Sequence, residues 1–250
     1  MSLDDFVKEL ENRFDKKEIV VFTGAGLSTA SGLKDFRGKN GLYKENINAE
    51  KILSAPFFMR NPKEFYDFYR EYMILDDSIK PNLAHKMISD LEKEGIASSV
   101  ITQNIDGLHQ MAGSKNVIEV HGNPDFYCMQ CDKRYSPKYI KSTTGIPRCE
   151  CGGIIRPDIV LYCEKLDDYK WKQAQDAITY AKTLLVIGSS LKVNPSSRLV
   201  HDFIVDRRCY NGKDKKLFII NMGPTDYDFY ADYKYDGDVI DVAKKIKILK

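Results

Sequence analysis

The chain has 250 residues, 43% hydrophobic and 30% charged, which suits one large globular domain or one domain carrying smaller inserted modules. Its 38 basic and 36 acidic residues leave a net charge of +2, too small a field to attract nucleic acid or a membrane surface in general. The opening "MSLDDFVKEL" lacks the apolar core of a signal peptide and no apolar run approaches the ~18 residues of a membrane span, so a cytoplasmic protein with reduced thiols is expected.

Leu3, Phe6, Val7, Leu10 and Phe14 repeat at helical spacing. The apolar run "EIVVFTG" follows, and runs of the same kind recur as "SSVITQN", "NVIEVHG", "TLLVIGSS" and "KLFIINMG". Near-continuous apolar runs predict parallel strands buried on both faces. Helical patterns, "AHKMISDLEKEG" and "DDYKWKQAQDAITYAK", lie between them. The alternation predicts an α/β fold with a doubly wound, Rossmann-like parallel sheet, whose ligands sit at the carboxyl ends of the strands. Two regions break it. Residues 35–80 are rich in aromatics and predict helices over a groove, and residues 123–157 hold four cysteines and few large aliphatics. The basic end "KKIKILK" reads as a solvated helix end.

The loops after the runs carry the candidate chemistry. "FTGAGLSTASG" places Gly24, Ala25, Gly26 and Ser28 in a glycine-rich turn after a strand, where backbone amides can approach a phosphate. Thr29 stands where the third glycine of the ordinary dinucleotide pattern falls, and an ordinary strand-to-helix turn also fits. In "DFRG", Asp35, Phe36 and Arg37 lie near this loop, and a guanidinium fork matches phosphate. "TQNIDGLH" offers Gln103 and Asn104, whose amides both donate and accept, then Ile105 and Asp106, with Asp106 able to accept from a carboxamide; an Asx turn is the plain structural alternative. His121 in "EVHG" stands at a strand end, where imidazole serves as a general base near neutral pH, although a single histidine also fits a structural role. His85, His109 and His201 are read as structural. Gly188, Ser189 and Ser190 follow the fourth run and Asn221 ends the fifth.

Cys128 and Cys131 form C-x2-C, and Cys149 and Cys151 form C-x-C seventeen residues later. Paired thiols at this separation predict a four-thiolate Zn2+ site, in preference to buried free thiols, with Gly152 and Gly153 relaxing the short second arm. Four thiolates fill a tetrahedral metal, so the zinc is structural. The segment has no other means of ordering itself.

In this order, "GAGLSTASGLKDFRG", "TQNIDGLH", "EVHG", the cysteine pairs, "RPDIVLYCE", "GSSLKVNP" and "IIN" resemble the sirtuin family of NAD-dependent protein lysine deacylases, in its bacterial-type form. The resemblance spans most of the chain. It implies an NAD-binding Rossmann-like domain from residues 1–34, 81–122 and 158–250. It adds a small domain made of a cofactor loop and helical module (35–80) and a zinc module (123–157). It implies that Ala25, Gly26 and Ser28 line the phosphate and ribose site, and that Asp35, Phe36 and Arg37 form a mobile cofactor loop. Gln103 and Asn104 would hold the nicotinamide ribose or a water, and Ile105 and Asp106 would line the nicotinamide pocket. Gly188, Ser189, Ser190 and Asn221 would hold the diphosphate and adenosine half. Val160, Leu161 and Tyr162, with Leu191, Lys192, Val193 and Asn194, look like two strands between which an acyl-lysine peptide adds. His121, with Asn104, would be catalytic: the acyl oxygen displaces nicotinamide from the ribose, and His121 acts as base on a ribose hydroxyl. The products are free lysine, nicotinamide and O-acetyl-ADP-ribose.

Departures refine the expectation. Lys34 replaces a common proline, Ser189 a frequent threonine, and Cys163 a common glycine. Cys163 is expected as a small side chain at the groove's edge, neither a fifth ligand nor a nucleophile. Tyr69-x-x-Tyr72 lacks the arginine of the desuccinylating branch, so neutral acyl groups are expected, acetyl first. A mono-ADP-ribosyltransferase sharing the cofactor site is the alternative. A zinc-module binding protein with a relict NAD site leaves His121, Asn104 and Asp106 unexplained. Acyl-lysine proteins are the expected partners of a monomer.

Overall fold

The computed structural model describes residues 1–16, 18–35, 41–42, 48–209 and 214–248. Six strands form one parallel sheet: β1 (Ile19–Thr23), β2 (Ala97–Thr102), β3 (Val117–Glu119), β7 (Thr183–Ile187), β8 (Lys216–Ile220) and β9 (Tyr233–Tyr235), in the order β3-β2-β1-β7-β8-β9. Five are the apolar runs of the sequence. The sixth, β9, is the short stretch Tyr-Lys-Tyr, whose half-buried edge position needs no apolar run.

Residues of a strand alternate between the two faces of a sheet. Ile19 and Val21 of β1 pack with Leu185, Ile187, Phe218 and Ile220 against α1 (Leu3–Glu11), α5 (Leu83–Lys93) and α10 (Val239–Lys245). Val20 and Phe22 pack on the other face with Leu184, Val186, Leu217 and Ile219 against α8 (Asp168–Tyr180) and α9 (Arg198–Cys209). All five residues of β1 are buried because each face has its own helical layer. Each such side chain contributes about 1.5–3 kcal/mol of burial.

A second, three-stranded antiparallel sheet, β5-β4-β6, joins β4 (Gly122–Cys128), β5 (Arg134–Tyr135) and β6 (Ile155–Ile159). It shares one core with the aromatic helices α2 (Ala49–Ile52), α3 (Ala55–Arg60) and α4 (Pro62–Tyr72): Phe58, Phe65, Tyr66, Phe68 and Tyr69 pack with Phe126, Ile140, Ile155 and Ile159. The Tyr66 hydroxyl donates to the Ile155 carbonyl, and Arg70 donates to the carbonyls of Ile140 and Gly145. Residues 123–157 contribute few aliphatics of their own, and the helices on the other side of this core supply the rest. Two short α-helices complete the set among the described residues, α6 (Leu108–Ala112) and α7 (Pro137–Lys141).

Among the described residues no helix is long and apolar enough to cross a membrane. After β1, the turn opens a 3-10 helix, Ala25–Ser31, closed by left-handed Gly32, and not a regular α-helix.

Candidate active site

The strands of the parallel sheet end nearly in register. Thr23 of β1 pairs with Thr102 and Ile187, Thr102 with Glu119, and Ile187 with Ile220. Their following loops therefore meet along one edge. Strand order reverses between β1 and β7, and a crevice lies at this switch point beyond the strand ends. The crevice is a cavity of about 440 Å³.

Ala25, Gly26, Asp35, Gln103, Asn104, Ile105, His121, Gly188, Ser189, Ser190 and Asn221 line it. So do Val160, Leu161, Tyr162, Lys192, Val193 and Asn194. Gly24, Ser28, Asp106 and Leu191 stand behind this wall. Phe36 and Arg37 lie outside the described residues. The close approach of two turns explains glycines that the sequence suggested for phosphate contact: the Gly26 N–H donates to the Gly188 carbonyl at 2.8 Å, and a Cβ on Gly26 would meet that oxygen at 2.8 Å. Gly188, at φ +62°, has no room for a Cβ against the Leu27 nitrogen.

Behind the wall the polar groups form one network. The Asn104 amide donates to the Gly24 carbonyl and to Ser28 Oγ, both at 3.2 Å, and its backbone N–H donates to Thr102 Oγ1 at 3.0 Å. Ser28 in turn donates to Asp106 Oδ2 at 2.7 Å. Burial raises the Asp106 pKa, while hydrogen bonds from the Leu108 N–H and Ser28 oppose the rise. Asp106 also closes an Asx turn on Leu108, so the structural alternative read from "TQNID" is realised beside the buried network.

His121 Nδ1 lies 3.0 Å from the Gln103 carbonyl oxygen. A carbonyl accepts only, so Nδ1 carries the proton and Nε2 keeps its lone pair. Burial lowers the imidazole pKa, and the bond to Gln103 partly opposes this. The lowered pKa favours the neutral ring, whose free Nε2 is competent as a base. His85 and His109 pack ring to ring at 5.2 Å within the fold, and His201 is exposed on α9.

Neither segment expected to flank a peptide is a strand. Tyr162 pairs with Leu53 and Ala55 through two backbone bonds of 3.0 Å, Val160 donates to the His121 carbonyl, and Leu191 is left-handed at φ +56°. Cys163, also left-handed at φ +70°, lines the cavity rim beside Glu164. Arg70 donates to the carbonyls of Ile140 and Gly145 and does not line the cavity, and Lys192 is the one cation on the cavity wall among the described residues.

The four predicted cysteines converge, with all sulfurs within 4.8 Å of one another. Sγ atoms of Cys128 and Cys151 are 3.4 Å apart, and Cys131 lies 3.5 Å from both Cys149 and Cys151. A tetrahedral zinc with Zn–S of about 2.3 Å needs sulfurs roughly 3.8 Å apart. This all-thiolate set therefore fits structural Zn2+.

A model of the Sir2 family matches residues 24–195. The chain is 42% identical to an NAD-dependent protein deacetylase of Clostridium perfringens, over 98% of this chain and 99% of that one. It is 46% identical to an NAD-dependent protein deacetylase of Clostridium acetobutylicum, covering 93% and 94%.

The chain belongs to the Sir2 family.

Solved Sir2 structures agree in fold. One with a p53 peptide and NAD+ superposes at a TM-score of 0.83, with 38% identity and 96% of each chain covered. Another, a Sir2 variant with a deacetylated p53 peptide and 3′-O-acetyl-ADP-ribose, gives 0.85 at 39% identity, covering 95% and 96%. In this Sir2-family chain the cavity also has walls that motif reading missed: Thr29, Leu53, Met73, Ile159, Glu164, Leu166, Pro195, Met222, Pro224, and Gly237 to Val239. The stretch after β9 had no apolar run to announce it. Thr29, Ile159, Glu164, Pro195 and Met222 lie inside motifs already quoted, whereas Leu53 and Met73 stand at the ends of helices distant in sequence and are neighbours only in the fold.

Proposed function

We infer that this chain is an NAD-dependent protein lysine deacetylase, transferring the acyl group of acyl-lysine to ADP-ribose with release of nicotinamide and O-acetyl-ADP-ribose. The observation that carries the chemistry is His121, neutral, with Nδ1 held by the Gln103 carbonyl and placed on the cavity wall. Nε2 takes the proton from a ribose hydroxyl.

Ala25, Gly26 and Ser28 serve the phosphate and ribose site, with Asp35, Phe36 and Arg37 as its covering loop. Gln103 and Asn104 hold the nicotinamide ribose or a water, and Ile105 and Asp106 form the nicotinamide pocket. Gly188, Ser189, Ser190 and Asn221 hold the diphosphate and adenosine half. Segments 160–162 and 191–194 receive the acyl-lysine peptide as an added strand. The cleft holds the reactants in line, and its covering loop keeps water from them. Cys128, Cys131, Cys149 and Cys151 hold a structural zinc that orders residues 123–157. In this reading the cofactor domain is residues 1–34, 81–122 and 158–250. The shared aromatic core supports grouping 35–80 with 123–157 as its small partner.

Neutral acyl groups are preferred, because Arg70 is committed to backbone carbonyls. The deciding experiment incubates the protein with NAD and a panel of acyl-lysine peptides and identifies products by mass. Acetyl-lysine is expected to give free lysine and O-acetyl-ADP-ribose, with succinyl-lysine at least tenfold slower. His121→Ala is expected to bind NAD and lose turnover by 10²-fold or more. Near-normal deacetylation by that variant overturns the assignment, and a mass-shifted protein product in its place favours ADP-ribosyl transfer. The net charge of +2 speaks for neither nucleic acid nor a membrane surface as partner. The reading includes a cytoplasmic monomer; sedimentation well above 28.7 kDa would exclude the monomer.

A further inference from the structure

Gln103 follows β2, and its side-chain amide is gripped by two serines. Nε2 donates to Ser196 Oγ at 2.6 Å, and Oε1 accepts from Ser189 Oγ at 2.7 Å. Ser196 is fully buried at 0% exposure and stands behind Pro195, outside the cavity wall.

Proton bookkeeping decides which way the amide points. A serine hydroxyl has one proton to give. Ser196 gives its proton to the Val193 carbonyl oxygen at 3.0 Å, and a carbonyl has none to return. Ser196 therefore faces Gln103 with a lone pair, which only the NH2 end of the amide satisfies. That turns Oε1 toward Ser189, whose hydroxyl donates to it while accepting the Leu191 N–H at 3.2 Å. The reversed amide would have to draw the Ser196 proton away from the Val193 carbonyl. One N–H and one oxygen lone pair of Gln103 remain for a ligand in the cavity that this residue lines.

We propose that Ser196 is a positioning residue: it fixes the Gln103 amide in the orientation that meets the ribose of NAD, and it ties that orientation to the substrate segment 191–194 through Val193. The ribose role rests on the reading of the cavity given above. Leu191 and Val193 sit in the segment expected to pair with a peptide, while Gln103 and Ser189 sit in the cofactor half. One chain of hydrogen bonds thus spans both halves. Glycine-loop and histidine motifs do not reveal it, because Ser196 touches neither ligand.

Ser196→Ala removes the acceptor without adding volume. Its KM for NAD is expected to rise about fivefold, the scale of one side-chain hydrogen bond, with kcat changed less than twofold. In ¹H–¹⁵N spectra of the protein without NAD, the Gln103 side-chain NH2 is expected to exchange faster with water in the variant. In a Gln103→Ala background the same substitution is expected to add no further rise in KM. An unchanged Gln103 exchange rate, or an equal rise in KM in both backgrounds, overturns the proposal and leaves Ser196 as packing. The exchange measurement needs no turnover. A native protein that releases no nicotinamide therefore defeats the reading of the cavity and the ribose role with it, while exchange alone decides the amide orientation.

Discussion

A neutral histidine that must accept a proton imposes a pH profile. Burial is the larger influence on His121 and holds its pKa below the ordinary imidazole value of about 6.5. Lowering the pKa favours the neutral form, so activity persists to lower pH than a solvent-exposed histidine would allow. The acid limb of kcat against pH is expected to have its midpoint below about 6.5. A midpoint at or above that value would remove His121 from the role of base, or show that bound substrate shifts it upward. The sequence located this residue by its place after an apolar run. It could not supply the tautomer, which depends on the Gln103 carbonyl across the β2–β3 pair.

At the scale of elements, the cysteine module shows what a metal contributes. Its short strands β5 and β6 and the five-residue helix α7 offer little apolar surface, and its core is completed by helices α3 and α4. The rest of its order comes from four converging thiols. A chelator is expected to release one equivalent of zinc per chain and to open residues 123–157 to limited proteolysis, with the six-stranded sheet retained by circular dichroism. Full retention of protease resistance without metal would show that packing alone holds the module. The spacing of the cysteines was sufficient to predict this site, because thiolate geometry is demanding. Gly122 was less legible: at φ +95° a Cβ there would overlap the Asp158 carbonyl, so the residue after the proposed base must be glycine for β4 to pair with β6. The two peptide-flanking segments were read as strands from resemblance; here segment 160–162 bonds to Leu53, Ala55 and His121, and Leu191 is left-handed, so neither is a regular strand.

The whole molecule carries two buried histidines in its α5–α6 contact. His85 has no hydrogen-bond partner on either ring nitrogen, and His109 bonds only Thr23 through Nε2. Burial depresses the pKa of His85 to about 4 and of His109 to about 3, the latter also through His85. The unfolded chain therefore binds protons that the folded one refuses. Stability is fully present above about pH 6.5 and falls as pH drops toward the folded values, with a slope approaching two protons. Urea midpoints at pH 7, 6 and 5 are expected to decline in that order. A midpoint constant across that range would mean that these rings are solvated or that the unfolded state shares their low pKa.

The sequence by itself determined the sheet strands that are apolar on both faces, the loops that end them, the base candidate and the metal ligands. These are local or short-range signals: burial on two faces forces a continuous apolar run, and a thiolate site forces a spacing. The tertiary structure decided which loops meet, since one cavity wall is assembled from segments as far apart as Ala25 and Val239. It also decided the direction of the Gln103 amide, the tautomer of His121 and the shared core of the two smaller modules. Hydrogen-bond direction and cavity shape are properties of neighbours in space, and no one-dimensional pattern encodes which serine will stand beside which amide.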